Sequence, residues 1–312
     1  MPTAGARALL TSLVDYAGLY PPASLTVTNA AEHYARARAG THAWMLARLV
    51  VPASRLPELS EAAAVLMPGT HATSGYREHA HSQSPWPLSV VIDRPLDEAL
   101  DLIDAFDERH AEPDRGLASV ESVELKAARP DDIDEALDIL PSTLFPFFEI
   151  PLGGDCRGFV AALAGGEASA KIRCGGTAPG TIPDTGSIAA FLRACRGAGV
   201  SFKATAGLHH PVRGEQPLTY EPGCPRDVMH GFINLFVAAG LAQTSDEGEA
   251  VLREVLDERD GQAFEVSNTG VVWRGHPLAT DDIVRAREAF ALSIGSCSFD
   301  EPVDDLRSLG WL

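Results

Sequence analysis

The sequence predicts an α/β chain closed into a (β/α)8-type (TIM) barrel, irregular after its sixth strand and preceded by a helical arm over residues 1–40. Three observations predict it. Short apolar runs rich in branched and aromatic residues alternate with amphipathic helical patterns every 30 to 40 residues, the rhythm of parallel strands joined by helical crossovers. Several right-handed crossovers in a row leave an open doubly wound sheet or a closed barrel. No G-x-G-x-x-G or P-loop follows the first strand, which removes the usual nucleotide-binding reason for the open form. No repeat, low-complexity tract or interdomain linker divides the chain. At 312 residues it can bury roughly 75% of its unfolded surface, so residues 1–312 read as one domain.

The arm comes first. ALLTSLVDYAGLY has helical spacing, Tyr20-Pro21-Pro22-Ala23 breaks it, and NAAEHYARARAG ends on a glycine suited to a C-cap. Asp15 and Tyr16 read there first as packing residues, with reach into a site as the alternative. Six strands follow, each with its helix: AWMLARLVVP (43–52) with RLPELSEAAAVL, WPLSVVID (86–93) with PLDEALDLIDAFDERH, VESVELKA (120–127) with PDDIDEALDIL, LFPFFEIPL (144–152) with DCRGFVAALAGG, then AKIRCGG and SFKATAG. Beyond Val212 the pattern loosens. MHGFINLFVAAGLA reads as an apolar core helix, EGEAVLREVLDERD as an amphipathic one, AFEVSNTGVVWRG as a strand or hairpin turning at Asn268-Thr269-Gly270, and DDIVRAREAFALSIGS as a last long helix. Strands seven and eight are inferred from closure rather than seen.

Composition excludes several classes. The net charge is −18 and no basic run occurs, so the electrostatic footprint of nucleic-acid binding, or of an anionic membrane, is missing. No run approaches about 18 apolar residues. Five widely spaced cysteines without a C-x-x-C pair fit neither a disulfide framework nor a zinc ribbon, and Asp15 interrupts the opening segment where a leader would be apolar. A reducing cytoplasm is the expected location. The apolar AGLYPP and the closing Trp311-Leu312 offer cover for a second subunit, so a homo-oligomer is compatible with the reading.

Against this acidic background, four consecutive strands carry charges where buried parallel strands are ordinarily apolar: Glu124 and Lys126, Glu149, Lys171 and Arg173, then Lys203. Residues two apart on a strand face one side. If those sides face inward, alternating carboxylates and cations line the barrel axis. Lys171 and Lys203 lie 32 residues apart (203 − 171), one strand-helix-strand unit. A neighbouring cation and dry surroundings would depress a lysine and free its amine for a carbonyl, with Glu149 or Glu124 moving protons. Arg173 and Lys203, with backbone N–H groups of Cys174-Gly175-Gly176 and Ala206-Gly207, would instead hold a carboxylate or phosphate. His209 and His210 follow the sixth strand at the catalytic end, Arg213 close behind. The histidines read as acid/base or substrate-binding groups. A metal held by His209, His210 and His230 is the alternative, and their spacing matches no standard motif. Cys174 and Cys224 read as ordinary thiols that a nearby histidine could activate.

The order of FFEIPL, AKIRCGG and FKATAG resembles the deoxyribose-phosphate aldolase type of class I aldolase barrel, over roughly residues 144–210, about a fifth of the chain. The resemblance implies a Schiff base on a lysine of the first lysine strand, tuned by one on the next, which by position are Lys171 and Lys203. The chain departs from that family in Ile172-Arg173-Cys174 after the first lysine and in the doubled histidine, and the family's third-strand aspartate has a counterpart only if Glu124 replaces it. DYAGLYPPA, KIRCGG, FKATAGLHHPVR and MHGFINLF together also resemble a group of bacterial proteins, a likeness that implies no function. The expected function is an aldolase or lyase acting on a carbonyl or anionic small molecule through Lys171, Lys203, Glu149 and His209, with Arg173, Gly175, Gly176, His210, Arg213 and Glu124 on the substrate and no cofactor. The alternatives are a histidine-centred metal-dependent lyase or hydrolase, and a barrel that binds a ligand without turning it over.

Overall fold

In the computed structural model, residues 1–74, 84–244 and 248–312 are described. The chain runs α1 (Ala4–Leu10), β1 (Val14–Tyr16), α2 (Val27–Ala39), β2 (Leu46–Pro52), α3 (Leu56–Ala63), α4 (His71–Ser74), β3 (Trp86–Val91), α5 (Leu96–His110), β4 (Ala118–Lys126), α6 (Asp131–Leu137), β5 (Phe145–Glu149), α7 (Arg157–Leu163), β6 (Ser169–Arg173), α8 (Thr185–Ala198) and β7 (Phe202–Thr205). It continues through β8 (Gly214–Pro217), β9 (Arg226–Met229), α9 (Phe232–Thr244), α10 (Glu249–Asp257), β10 (Phe264–Ser267), β11 (Gly270–Trp273), β12 (His276–Ala279), α11 (Thr280–Ala289), β13 (Ala291–Ser296) and α12 (Asp300–Ser308).

Eight parallel strands close a barrel in the order β1-β13-β7-β6-β5-β4-β3-β2. The fold is therefore a (β/α)8 barrel of the TIM type. The six strands read from sequence are β2 to β7. The two that close the ring lie where helices were expected. β1 is three residues inside the supposed helical arm, and β13 is the second half of the segment expected to be one long helix. In the first case helical spacing in ALLTSLVDY spans a helix and a strand. In the second, Phe290 leaves the helical region at φ −136°, ψ −66°, and ALSIGS then extends between β1 and β7.

The outward strand faces carry the core. Phe191 of α8, Phe202 of β7 and Phe290 meet edge to face at 5.3 and 5.2 Å, a favourable aromatic geometry that ties the helical layer to the junction of α11 and β13. The crossover between β7 and β13 holds the irregular part: the β8–β9 hairpin and the antiparallel β10-β11-β12 sheet, which turns at Asn268-Thr269 as the sequence suggests. α9 is buried on every side because α8, α10, α11 and β12 cover it. Glu247, the first residue of the predicted amphipathic helix, lies outside the described residues, and α10 begins at Glu249.

Caps and close contacts set the segments around β6 and β7. Asp184 caps α8 by accepting from the Ser187 N–H at 2.9 Å, and Gly199 ends that helix in the left-handed region at φ +68°. The loops after β6 and β7 cross where Gly175 and Gly207 touch; a Cβ on Gly207, itself at φ +70°, would lie 3.0 Å from the Gly175 Cα.

Candidate active site

Inward-facing positions of five strands build a buried chain of alternating charge. Lys203 Nζ lies 2.5 Å from Asp15 Oδ2 and 2.7 Å from Glu124 Oε1. Lys171 Nζ lies 2.8 Å from Glu124 Oε2 and 2.8 Å from Glu149 Oε2. The order is Asp15, Lys203, Glu124, Lys171, Glu149, so the alternating layer expected from sequence lines the axis. Strand register makes it: Lys126, Glu149, Lys171 and Lys203 are successive partners across β4, β5, β6 and β7.

The deep end is saturated. Asp15 also accepts from Ser293 Oγ at 2.7 Å and from the Arg48 N–H at 3.1 Å, and Glu124 accepts from Ser89 Oγ at 2.7 Å. Lys203 Nζ stands 4.9 Å above the Phe147 ring. Charges this deep persist only when every one is paired. Asp15 is thus a member of the site, not the packing residue that sequence reasoning made it.

Above this layer a cavity of about 550 Å3 opens at the carboxyl ends of the strands, where barrels of this type place their chemistry. Glu124, Glu149 and Lys171 form its floor, Thr205, Ala206, Gly207, Gly176 and His209 one wall, Tyr20, Pro21 and Pro22 another, and Arg173 and Lys126 add cations to its lining. The two lysines differ in access: the Lys171 side chain is 9% exposed and borders the cavity, whereas that of Lys203 is 1% exposed and lies beneath it. An ammonium has three donors. Lys171 spends two on carboxylates and keeps one for an occupant.

Electrostatics departs from the expectation of a depressed lysine. Burial lowers Lys171, but Glu124 and then Glu149 outweigh it and hold the ammonium above its ordinary range. Glu124 is desolvated, yet Lys203 and then Lys171 pull it well below the usual carboxylate range. The nearest neighbours of the Lys171 amine are carboxylates, not a cation, and they favour its charged form.

The other sequence-predicted residues divide. Arg173, 54% exposed and 4.0 Å from Glu149, lines the cavity with Gly176, while Gly175 lies behind it against Gly207. Lys203, expected to hold an anion beside Arg173, is spent on Asp15 and Glu124. The Cys174 N–H, one of the expected anion donors, is taken by the Thr205 carbonyl at 2.8 Å. His209 is buried in the cavity wall, with Nδ1 3.3 Å from Ser296 Oγ, 3.8 Å from Cys297 Sγ and 3.6 Å from Glu301 Oε2. Burial, then His210, lowers it to about 4, so the ring is neutral near pH 7.

His210 turns away to Asp305 at 2.6 Å, and Arg213 sits outside the cavity between His230 and Asp257. His230 accepts from Arg213 at Nδ1 (2.8 Å) and donates from Nε2 to the Pro183 carbonyl (2.7 Å). The three histidines therefore serve separate partners, and among the described residues no group of three His, Cys, Asp or Glu side chains is placed to hold a metal. Cys174 is buried and pushed up to about 12, an inert thiol. Of the apolar segments expected to cover a partner, Tyr20, Pro21 and Pro22 line the cavity and Trp311 is buried in the core. No protein-family model, no curated protein and no solved structure matches this chain.

Proposed function

We propose that this chain is a lyase of the aldolase type, cleaving or joining a short anionic carbonyl compound through an imine on Lys171. One observation carries the reading: of the two lysines in the buried charge chain, Lys171 is the one that borders the cavity, with carboxylates 2.8 Å away on either side to accept its proton. The likeness to deoxyribose-phosphate aldolases points to the same residue.

The resting ammonium is not the nucleophile. A substrate that fills the cavity displaces water, which disfavours separated charges, and a proton passes from Lys171 to Glu149. Nζ then adds to the carbonyl carbon, whose oxygen leaves as water. A carboxylate removes the proton of the β-hydroxyl, the adjacent carbon–carbon bond breaks, and its electron pair enters the iminium. Protonation of the enamine and hydrolysis release the second fragment and restore the amine. Lys203, below the floor, holds Glu124 below the usual carboxylate range, while Arg173 and Lys126 hold the anionic end.

A second reading rests on the raised Lys171: the ammonium stays protonated and polarises the carbonyl without covalent chemistry. Borohydride reduction in the presence of pyruvate, acetaldehyde and 3-hydroxybutanal separates the two. The imine reading expects a peptide carrying Lys171 with the mass of the reduced adduct, lost in Lys171→Arg. An adduct on Lys203 instead would overturn the assignment, and turnover without any adduct would favour the second reading.

A further inference from the structure

The barrel has a second hollow at its other end. At the amino ends of the strands a pocket of about 770 Å3 lies between α1, α11 and the starts of β5 and β13, a size that suits a small molecule. It shares no lining residue with the cavity above the charge chain. Its apolar wall is made by Phe145 and Val284, each 36% exposed, together with Phe147 and Leu292. Phe145 and Phe147 meet edge to face at 5.2 Å, which sets the shape of that wall. Large apolar side chains left in water side by side in a concave place mark a binding surface.

The polar lining runs against the rest of the molecule. The chain carries 43 acidic and 25 basic side chains, yet Arg7, Arg48 and Arg287 line this pocket and Glu288 is its one lining carboxylate. Arg7 stacks 4.6 Å over Trp44 and Arg287 4.7 Å over Phe236, and neither has an ion-pair partner among the described residues. The carbonyls of Thr11, Ser12, Ala291 and Leu292 hold Arg287 in place without supplying a counter-charge. Arg48 Nε lies 3.1 Å from Glu121 Oε2 and Nη1 3.8 Å from Asp15 Oδ1. Its guanidinium nevertheless makes no hydrogen bond among the described residues, and the side chain is 29% exposed. An excess of fixed positive charge in a hollow with apolar walls concentrates anions.

We infer that this pocket is a binding site for a small carboxylate with an apolar body, of the arylalkanoate or alkanoate type. The carboxylate meets the unspent donors of Arg48, whose planar fork matches two oxygens at once, while Arg7 and Arg287 add to the field. The apolar body covers Phe145 and Val284 and is stabilised in proportion to the area it removes from water. A bare inorganic anion gains only the first contribution, and a neutral compound only the second. Nothing in this site depends on the chemistry proposed for the other cavity.

Calorimetry on the full-length chain with 3-phenylpropanoate tests it. The parent should bind with a Kd of about 1 mM or tighter. Arg7→Gln and Val284→Glu, both at exposed positions where substitution leaves the fold intact, should each raise that Kd about tenfold or more. Arg173→Gln, at the other cavity, should leave it unchanged. Inorganic phosphate and the neutral 3-phenylpropan-1-ol should bind about tenfold or more weakly than 3-phenylpropanoate. Absence of binding to the parent, or a Kd that moves less than about threefold in both pocket variants, would overturn the assignment. So would phosphate bound as tightly as the probe, the mark of a plain anion site, or a loss of affinity confined to Arg173→Gln, which would put the probe in the other cavity. A parent dimer in sedimentation that Val284→Glu dissolves would mean that a second copy covers the pocket, and would overturn it as well.

Discussion

Glu124 is held by two lysines at once, and its carboxylate joins the shallow and deep halves of the charge chain. Glu124→Gln would leave two ammonium groups in the barrel with one carboxylate each. Breaking a buried pair from one side costs roughly 3–5 kcal/mol because a charge stays behind without compensation. A urea titration should show the midpoint fall accordingly, with the slope unchanged, whereas Lys126→Gln at the exposed rim should move it by no more than about 0.5 kcal/mol. Glu124, Glu149, Lys171 and Lys203 were legible in the sequence because charges inside apolar strands are conspicuous. Asp15 carried the same signature, a charge within Leu13-Val14-Asp15-Tyr16-Ala17, but three residues of strand next to a helix are too short for a period of two to declare itself. His210 and Arg213 were misplaced because adjacent residues after a strand can turn to opposite sides, and sequence alone does not say which side faces the cavity.

Elements β6 and β7 are joined at their ends by the contact of Gly175 with Gly207. A Cβ at Gly175 would lie 2.9 Å from the Gly207 Cα, backbone against backbone, with no flexible side chain to give way. Gly207→Ala adds the strain of a left-handed φ to that collision, so it should destabilise by about 1–3 kcal/mol. It should also push apart the end of β6 bearing Arg173 and the loop bearing His209, lowering ligand affinity in calorimetry; Gly180→Ala, which carries the same left-handed strain at φ +77° but whose Cβ meets nothing within 4 Å, should cost stability and leave affinity unchanged. Six of the eight staves were readable because each is a short apolar run bounded by turn residues and followed by its own helix. β13 was hidden by continuity of pattern, since the apolar positions of α11 run on into ALSIGS without a glycine or proline between them.

Across the whole molecule, the charge chain and the buried histidines give stability different dependences on pH. Glu124 sits below its unfolded value, so its contribution is present above about pH 5 and is lost as pH falls through its low folded value; Lys171 sits above its unfolded value, so its contribution is lost only as pH rises beyond about 10. Neither changes near neutrality. His209 and His230, both lowered to about 4 chiefly by burial, take up protons in the unfolded chain first, so stability falls as pH drops from about 6.5 to 4, by up to roughly 3 kcal/mol for each ring. Half-buried Asp107, raised to about 6 by burial, works weakly in the opposite sense. Buried His110, also lowered chiefly by desolvation, adds in the same sense, so urea midpoints should decline from pH 7 to pH 5 and His230→Gln should remove part of that decline; a flat profile in the parent chain would contradict it. The closure of the ring has a consequence for biosynthesis. β1 pairs with β13 in the barrel, and Asp15 takes its ammonium partner from residue 203. Once made, β1 must wait, unpaired on that side, until the more than 270 residues that separate it from β13 have followed it off the ribosome.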